Sequence, residues 1–234
     1  MKYVFNRFEL KYIITPQQMR EVIFALGDRV RADEYGETTI QSLYYDTDNY
    51  RLIRRSIERP TYKEKIRLRS YGLAQQGTKV FLELKKKAYS SVFKRRIMLT
   101  EQEADNLLFH KIKPYDSQIL REIEYFRDLY GNLRRSVLIL YDRTAFFGDD
   151  ELRVTFDKNV RYRTQRLNLC SDLEGTHLLG EGQILMEIKL KGGMPIWLSK
   201  ILSELKIYKT RFSKYGEAYS RILKSNLLKE EKVI

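Results

Sequence analysis

The chain has 234 residues, of which 43 % are hydrophobic and only four are proline, a composition typical of a folded globular protein. It has no apolar run of the roughly 18 residues that a transmembrane helix needs, its charged N-terminal stretch does not resemble an export signal, and Cys170 alone forms no internal disulfide. The net charge of +13 indicates an anionic partner such as nucleic acid, a lipid surface or a phosphorylated small molecule. Because a single cysteine without a disulfide fits a reducing compartment, we expect a cytoplasmic protein.

The first half of the chain predicts one helix among several strands. In the helix TPQQMREVIFAL, Thr15 caps the first turn, Pro16 occupies the first helical position and Gln18 completes a capping box. In most of the strands charged and apolar residues alternate, so the charged side chains of a strand share one face. The predicted strands are RFELKY, TIQSLYYDT, KEKIRLRSYG, FLELKKK and VFKRRIML.

The second half predicts four helices and three strands. Thr100 and Glu103 form a second capping box in TEQEADNLLF, and Gly131 closes the amphipathic helix YDSQILREIEYFRDLYGN. Two further helices, PIWLSKILSEL and SKYGEAYSRILKSNLL, begin at Pro195 and at the capping residue Ser213. The strands are LILYDRTAF, LRVTFD and LMEIKL. About eight strands with no linker or repeat between them predict a single α+β domain, residues 1–234, dominated by antiparallel sheet.

Cations dominate the charged faces of these strands. The basic members are Arg7, Lys11, Lys63, Lys65, Arg67, Arg69, Lys85, Lys87, Lys94, Arg96, Arg143, Arg153, Lys189 and Lys191, and the acidic members are Glu9, Glu83, Asp157 and Glu187. For any one strand, the simplest interpretation is a solvated face of an antiparallel sheet. For all of them together, opposed like charges would destabilise the sheet unless an anion lay among them. An antiparallel β-barrel of about eight strands, with the helices packed outside and the charged faces inside, would give a basic tunnel suited to polyphosphate or a nucleotide triphosphate.

Two carboxylates among these cations have two interpretations. Glu187 and Glu9 stand one strand step from Lys189 and Lys11, and simple ion pairing with those lysines would explain them. Alternatively, they bind a divalent metal, Mn²⁺ or Mg²⁺, that also contacts phosphate oxygens. Two histidines and one cysteine without ligand spacing argue against zinc.

Nine segments, in order, resemble the VTC domain, the polyphosphate polymerase domain of the vacuolar transporter chaperone complex. They are RFELKY, SLYYDT, KIRLRSYG, FLELKKK, FKRR, YDRTAF, LRVTFD, LMEIKL and RFSKYGEAY, and they extend from about residue 5 to residue 220. The wider group is the triphosphate tunnel metalloenzymes, which include the CYTH proteins. CYTH proteins open with E-x-E-x-K, whereas Arg7 takes the first position here, and this difference favours the VTC branch.

The resemblance implies a metal-dependent polymerase that transfers the γ-phosphoryl group of ATP to a growing polyphosphate chain in such a tunnel. It implies that Glu187 binds the metal, with Glu9 in support. The implied catalytic residues at the transferring phosphate are Arg67, Arg69, Arg143 and Arg153, and the implied ligands of neighbouring phosphates are Lys11, Lys85, Lys94, Lys189 and Lys214.

The partners implied by the resemblance are ATP and inorganic polyphosphate, and any translocation of the product would need a separate membrane protein. Two alternatives stay open: a triphosphatase or polyphosphatase of the same fold, and a non-catalytic polyphosphate-binding module. A nucleic-acid partner is not expected, because the cations follow the strand period instead of clustering in a tail or a recognition helix.

Overall fold

The computed structural model describes residues 7–89 and 91–230, and within them the side chains of residues 8–89 and 91–225. In this part of the chain the elements are, in order, β1 (Arg7–Ile14), α1 (Pro16–Leu26), β2 (Val30–Ala32), β3 (Thr38–Thr47), α2 (Arg51–Ile57), β4 (Tyr62–Tyr71), β5 (Val80–Ala88), β6 (Ser91–Leu99), α3 (Glu101–Phe109), α4 (Gln118–Tyr130), β7 (Leu133–Gly148), β8 (Arg153–Arg163), β9 (Thr176–His177), β10 (Ile184–Lys191), α5 (Ile196–Glu204), β11 (Lys209–Thr210) and α6 (Lys214–Glu230). The side chain of Arg7, which distinguishes this sequence from the CYTH opening, lies outside the described residues.

The strands form one large antiparallel sheet, which confirms the predicted α+β class. Their hydrogen-bonded order is β11-β1-β10-β8-β7-β3-β4-β5-β6, with β2 added to β7 and β9 added to β8. Three of the strands have only two or three residues, and the eight longer ones are those that the sequence predicts. Among the described residues β6 and β11 are not paired with each other, so the strand pairing does not show the predicted closed barrel.

The chain divides into two compact units. Unit 1 comprises the described residues up to Thr39, Tyr141–Arg161 and His177–Ser213. Unit 2 comprises Ile40–Leu140, Tyr162–Thr176 and the described residues from Lys214 onwards. The single domain predicted for residues 1–234 stays a prediction, and its first six and last four residues lie outside the described part.

In unit 1, helices α1 and α5 cover the apolar face of the sheet. Val154 and Ile188 on the strands and Val22 and Leu198 on the helices are fully buried members of one core. The capping box predicted for α1 is present, since the Gln18 backbone N–H donates to the Thr15 side chain and the Thr15 N–H donates to the Gln18 side chain. The charged residues of the same strands therefore lie on the face away from these helices.

Unit 2 repeats this arrangement with α3 and α4. Ile66 and Leu68 of β4 are fully buried in a core that includes Leu107 and Ile123 of the two helices. The predicted capping box of Thr100 and Glu103 begins α3, and Gly131 ends α4 with a φ of +57°, a conformation that glycine adopts readily.

Helix α2 is the one α-helix of the described residues that the sequence did not predict. It has seven residues, and Tyr50, which precedes it, provides no side-chain cap. Its first N–H groups are instead satisfied from the end of β3. Arg51 N donates to Thr47 Oγ1 at 2.9 Å, and the Asp46 carboxylate accepts from Leu52 N at 2.8 Å and from Ile53 N at 3.0 Å. A cap that comes from the preceding strand gives no local start signal.

None of the helices in the described part of the chain combines the length and the apolar character that a membrane span requires.

Candidate functional site

The strand register of unit 2 gathers cations around one buried carboxylate. Arg67 of β4 lies opposite Glu83 of β5, and Glu83 lies opposite Arg96 of β6. One step further along β5, Lys85 lies opposite Lys94 of β6. Because partners in register share a face, these side chains all lie on the face away from the unit 2 core. We call Glu83 with Arg67, Arg69, Lys94 and Arg96 the Glu83 cluster.

Four cations contact the Glu83 carboxylate, which is 2 % exposed. Arg67 Nη2 is 2.8 Å and Arg69 Nη1 is 3.9 Å from Oε2. Lys94 Nζ is 2.8 Å from Oε1, and Arg96 Nε donates to the same oxygen at 2.7 Å. Burial alone would raise the pKa of Glu83, but the charges of Arg67 and Arg69 and the hydrogen bond from Lys94 hold that pKa well below its usual value. One carboxylate thus faces four positive charges, and the excess can attract an anion.

The two arginines of β4 are held by further hydrogen bonds. Arg69 donates from Nε and Nη2 to Ser42 Oγ, each at 3.2 Å, and Arg67 Nη1 donates to the Tyr44 hydroxyl at 2.8 Å. Burial raises the pKa of Tyr44, but the charges of Arg67, Lys65 and Arg69 outweigh it and lower this pKa to about 8. The guanidinium groups are therefore oriented before any ligand binds.

The start of α6 lies beside the Glu83 cluster. The Tyr215 ring stacks on Tyr44 with 4.6 Å between ring centroids, and its hydroxyl donates to Asp46 Oδ2 at 2.8 Å. These contacts fix the first turn of α6, which begins at Lys214. The N-terminus of a helix also favours anions, so Lys214 lies where a phosphate would be stabilised.

Unit 1 has a second group of charged residues on the face away from its own core. In the register of β1 and β10, Lys11 lies opposite Glu187 and Glu9 lies opposite Lys189. In the register of β10 and β8, Glu187 lies opposite Thr155 and Lys189 lies opposite Arg153. We call the group Glu9, Lys11, Arg143, Arg153, Asp157, Glu187 and Lys189 the Glu187 cluster.

Carboxylates orient the cations of the Glu187 cluster. Asp157 is 0 % exposed and accepts two hydrogen bonds from Arg143, at 2.6 Å from Nε and 2.7 Å from Nη2. Arg143 Nη2 is also 3.5 Å from Glu187 Oε2. Lys11 Nζ lies between two carboxylates, 3.3 Å from Glu9 Oε1 and 3.5 Å from Glu187 Oε1. The predicted ion pair of Glu9 with Lys11 is present, and Glu187 pairs with the same lysine across the strands and with Arg143.

Thr155 and Lys189 of the Glu187 cluster face have polar groups that a bound anion could contact. In the described part of the chain the buried Thr155 Oγ1 has no hydrogen-bond partner. Burial lowers the pKa of Lys189 to about 8, because the nearby Glu9 and Glu187 only partly offset it and Arg143 and Arg153 add to it. A bound anion would complete these groups.

The donors of the Glu187 cluster fit a metal that shares its ligands with a substrate. Among the described residues no group of three or more His, Cys, Asp or Glu side chains could hold a metal by itself. Glu187 and Glu9 both contact Lys11, so two carboxylates converge at one place. Mg²⁺ and Mn²⁺ are often bound by one or two carboxylates together with phosphate oxygens and water, and this donor set is compatible with that mode.

The structure sorts the predicted site residues into the two units. Arg67, Arg69 and Lys94 meet in the Glu83 cluster, with Lys85 next to it and Lys214 at the start of α6. The predicted unit 1 residues Glu9, Lys11, Arg143, Arg153, Glu187 and Lys189 share the Glu187 cluster. Their roles toward a substrate stay predictions.

Three residues in the two clusters had no predicted role. The sequence places Glu83, Arg96 and Asp157 on the charged faces of strands. Alternation does not show which strands are neighbours, so it does not show which cations each carboxylate contacts. Only the register shows that Glu83 is the common partner of four cations and that Asp157 is the main partner of Arg143.

Comparison with known protein families shows the family of this chain. The sequence matches the VTC domain over residues 6–223, and the chain therefore belongs to the VTC domain family. This confirms the resemblance found in the nine sequence segments. The sequence matches none of the curated proteins with which it was compared.

Two solved structures show the same fold at low sequence identity. A protein from Bacillus halodurans described as an adenylate cyclase candidate aligns with a TM-score of 0.53 and 15 % identity, over 89 % of this chain and 95 % of its own. An adenylyl cyclase candidate from Hippeastrum, with a dominant triphosphatase activity, aligns with a TM-score of 0.56 and 16 % identity, over 91 % and 94 %. The chain thus shares its fold with these two proteins.

Proposed function

We propose that this VTC-domain protein is a metal-dependent polyphosphate polymerase, which transfers the γ-phosphoryl group of ATP to a growing polyphosphate chain within a basic tunnel. The observation that carries the proposal is the Glu83 cluster, in which four cations surround one buried carboxylate. A site with this excess of positive charge suits a polyanion better than a singly charged ligand. Membership of the VTC family supports polyphosphate as that polyanion.

Phosphoryl transfer asks the protein mainly for positioning and charge stabilisation. In the proposed reaction an oxygen of the terminal phosphate of the chain attacks the γ-phosphorus of ATP. The bond from that phosphorus to the β,γ-bridging oxygen breaks, and ADP leaves with the oxygen. Because the chain end is the nucleophile, the reaction needs no serine or cysteine nucleophile and no histidine base.

Four arginines would stabilise the transferring phosphoryl group. Arg67 and Arg69 are held by Glu83, Tyr44 and Ser42, and Arg143 is held by Asp157. Donors fixed in advance stabilise developing charge without reorganisation during the reaction, and the planar guanidinium group matches phosphate oxygens. Arg153, opposite Lys189 in the register, completes the proposed set.

Five lysines would hold the neighbouring phosphates as point charges. They are Lys11, Lys85, Lys94, Lys189 and Lys214. Lys189 illustrates the effect of a ligand: with a pKa lowered to about 8, it is partly neutral in mildly basic solution, and a bound phosphate would restore its charge. Glu187, supported by Glu9, would hold Mn²⁺ or Mg²⁺, which when bound neutralises charge on phosphate oxygens.

We further propose a cytoplasmic location, ATP and inorganic polyphosphate as the substrates, and a separate membrane protein as the partner for any translocation. The cations follow the strand period and do not cluster in a tail or a recognition helix, which supports a phosphate chain in preference to nucleic acid.

A triphosphatase of the same fold is the second candidate. The observation that favours it is the dominant triphosphatase activity of the Hippeastrum protein, which has a similar fold. Hydrolysis requires the same charge stabilisation, with water as the nucleophile. The third candidate, a polyphosphate-binding module without activity, would bind its ligand in the absence of a metal.

The test is incubation of the purified protein with ATP and Mn²⁺ or Mg²⁺, followed by a gel that resolves phosphate chains. The proposal predicts a ladder of long chains together with ADP, and loss of the ladder in Arg67→Gln. The control Lys200→Gln, an exposed lysine of α5, should retain the ladder. Orthophosphate as the sole phosphate product would support the triphosphatase, and an absence of turnover with tight triphosphate binding would support the binding module.

A further inference from the structure

The row of cations in unit 2 continues beyond the Glu83 cluster. On the same face of β4 and β5, Lys65 lies opposite Lys85, and one step further Lys63 lies opposite Lys87. Side chains two residues apart on one strand are separated by about 6.7 Å, so Lys63 lies about 13 Å along β4 from Arg67. Two pairs of directly opposed lysines thus follow the cluster toward the end of the two strands.

The other face of the same strands is charge-balanced. There Glu64 lies opposite Lys86, the two form an ion pair of 3.3 Å, and Tyr130 donates a hydrogen bond of 2.8 Å to Glu64. Opposite charges on opposed residues stabilise a sheet, whereas like charges destabilise it. A general abundance of lysine in this sheet therefore does not explain the opposed lysines, because they are confined to one face.

The outermost lysine pair has no carboxylate partner in the described part of the chain. Lys63 Nζ donates to the Ser56 carbonyl oxygen at 3.2 Å, a neutral partner. Lys87 forms no hydrogen bond and no ion pair among the described residues, and its opposite residue on β6 is the apolar Val92. Burial lowers the pKa of Lys63, and the charges of Lys87 and Lys85 lower it further, so the two opposed ammonium groups repel each other.

We propose that Lys63 and Lys87 form an outer subsite for inorganic polyphosphate, which binds phosphates of a chain whose end lies at the Glu83 cluster. The subsite rests on the proposed function, because it requires a phosphate polyanion at that cluster. At about 13 Å from Arg67, it is too distant for a triphosphate held by the arginines, whereas a longer chain lying along the strands reaches it. The subsite would thereby distinguish long chains from triphosphate.

The test compares two ligands without ATP and without metal. Binding of inorganic triphosphate and of size-fractionated long polyphosphate is measured by calorimetry for the wild type and for Lys63→Gln/Lys87→Gln. We expect the Kd of the long chain to rise about tenfold, which corresponds to about 1.4 kcal/mol, while the Kd of triphosphate changes by less than about twofold. Each lysine that contacts polyphosphate releases a counterion from the chain, so binding weakens with salt. In the double variant the slope of log K against log salt should therefore become shallower by about one unit.

Two further double variants serve as controls. Lys111→Gln/Lys200→Gln removes the same charge from exposed positions of α5 and the loop after α3, and should bind both ligands like the wild type. Lys63→Arg/Lys87→Arg keeps both cations and should retain long-chain binding.

Three outcomes would overturn the subsite. Equal weakening of both ligands would show a general effect of charge or folding, and unchanged binding of the long chain would show that the lysines do not contact it. A wild type that binds triphosphate but gains nothing from a longer chain would remove the subsite and leave the proposed function intact. Conversely, selective loss of long-chain binding in a protein that makes no polyphosphate from ATP would keep the subsite and refute the polymerase.

Discussion

Replacing Glu83 by glutamine should destabilise unit 2 and make its stability depend on a bound anion. The substitution keeps the shape of the side chain and removes a negative charge that four cations contact. Removal of one partner from a fully buried ion pair costs about 3–5 kcal/mol. Because Lys94 is 45 % exposed and Arg96 33 % exposed, solvent screens part of the repulsion, and we expect a loss of about 3 kcal/mol.

Urea titration measures this loss as a free energy of unfolding, and for a chain of this size it corresponds to a fall in Tm of about 6–12 °C. Triphosphate should raise the Tm of Glu83→Gln more than that of the wild type, since a bound anion replaces the missing charge. The matched control is Glu64→Gln, which removes a carboxylate that is 3 % exposed on the opposite face of the sheet. Its stability should not be restored by triphosphate.

The stability of the wild type in acid depends on the ionisation of Glu83. The folded state depresses the pKa of Glu83, so its stabilisation is complete above the unfolded pKa of about 4.5 and is lost as the pH falls below that value. Glu83→Gln should therefore show a shallower loss of stability in acid than the wild type. Two results would refute the role given to Glu83. Glu83→Gln could be as stable as the wild type, or triphosphate could stabilise it no more than it stabilises Glu64→Gln.

Three further predictions concern unit 1 and the pH dependence of binding. Glu187→Gln should abolish metal-dependent turnover and leave triphosphate binding within about threefold of the wild type; retained turnover would show that Glu187 is not a metal ligand. Triphosphate affinity should fall as the pH rises through about 8, because Lys189 loses its positive charge and Tyr44 gains a negative charge. Lys189→Gln and Tyr44→Phe should each make the affinity depend less on pH. An unchanged pH profile in both variants would contradict the lowered pKa values of these two groups. Asp157→Asn leaves the buried Arg143 without its main counter-charge and should lower the free energy of unfolding by about 3–4 kcal/mol in urea titration; a loss below about 1 kcal/mol would contradict the pairing.

Local chemistry in the sequence predicted most of the secondary structure. The capping boxes at Thr15 and Thr100 and the glycine at position 131 are complete within a few residues, so three helix ends could be located without tertiary information. Alternation predicted most of the eight long strands and the separation of Ile66 and Leu68 from Arg67 and Arg69. Helix α2 was missed because its cap, Asp46, belongs to the preceding strand.

The candidate site was predictable as a set of residues but not as an arrangement. Alternation puts Lys11, Arg67 and Lys189 on charged faces, yet it carries no information about register. The focal role of Glu83 depends on its position between β4 and β6, and the pairing of Asp157 with Arg143 depends on the contact of neighbouring strands. Closure of the sheet is likewise a property of strand pairing, so the charge pattern alone could not establish it.

The most direct measurement of the central claim follows the γ-phosphate of labelled ATP. In the presence of Mn²⁺, label retained in acid-insoluble chains is compared with ADP and with free orthophosphate during the reaction. The polymerase account predicts one chain-bound phosphate for each ADP released, with little orthophosphate and with the activity lost in Arg67→Gln. Release of one orthophosphate for each ADP, with no label in chains, would contradict it.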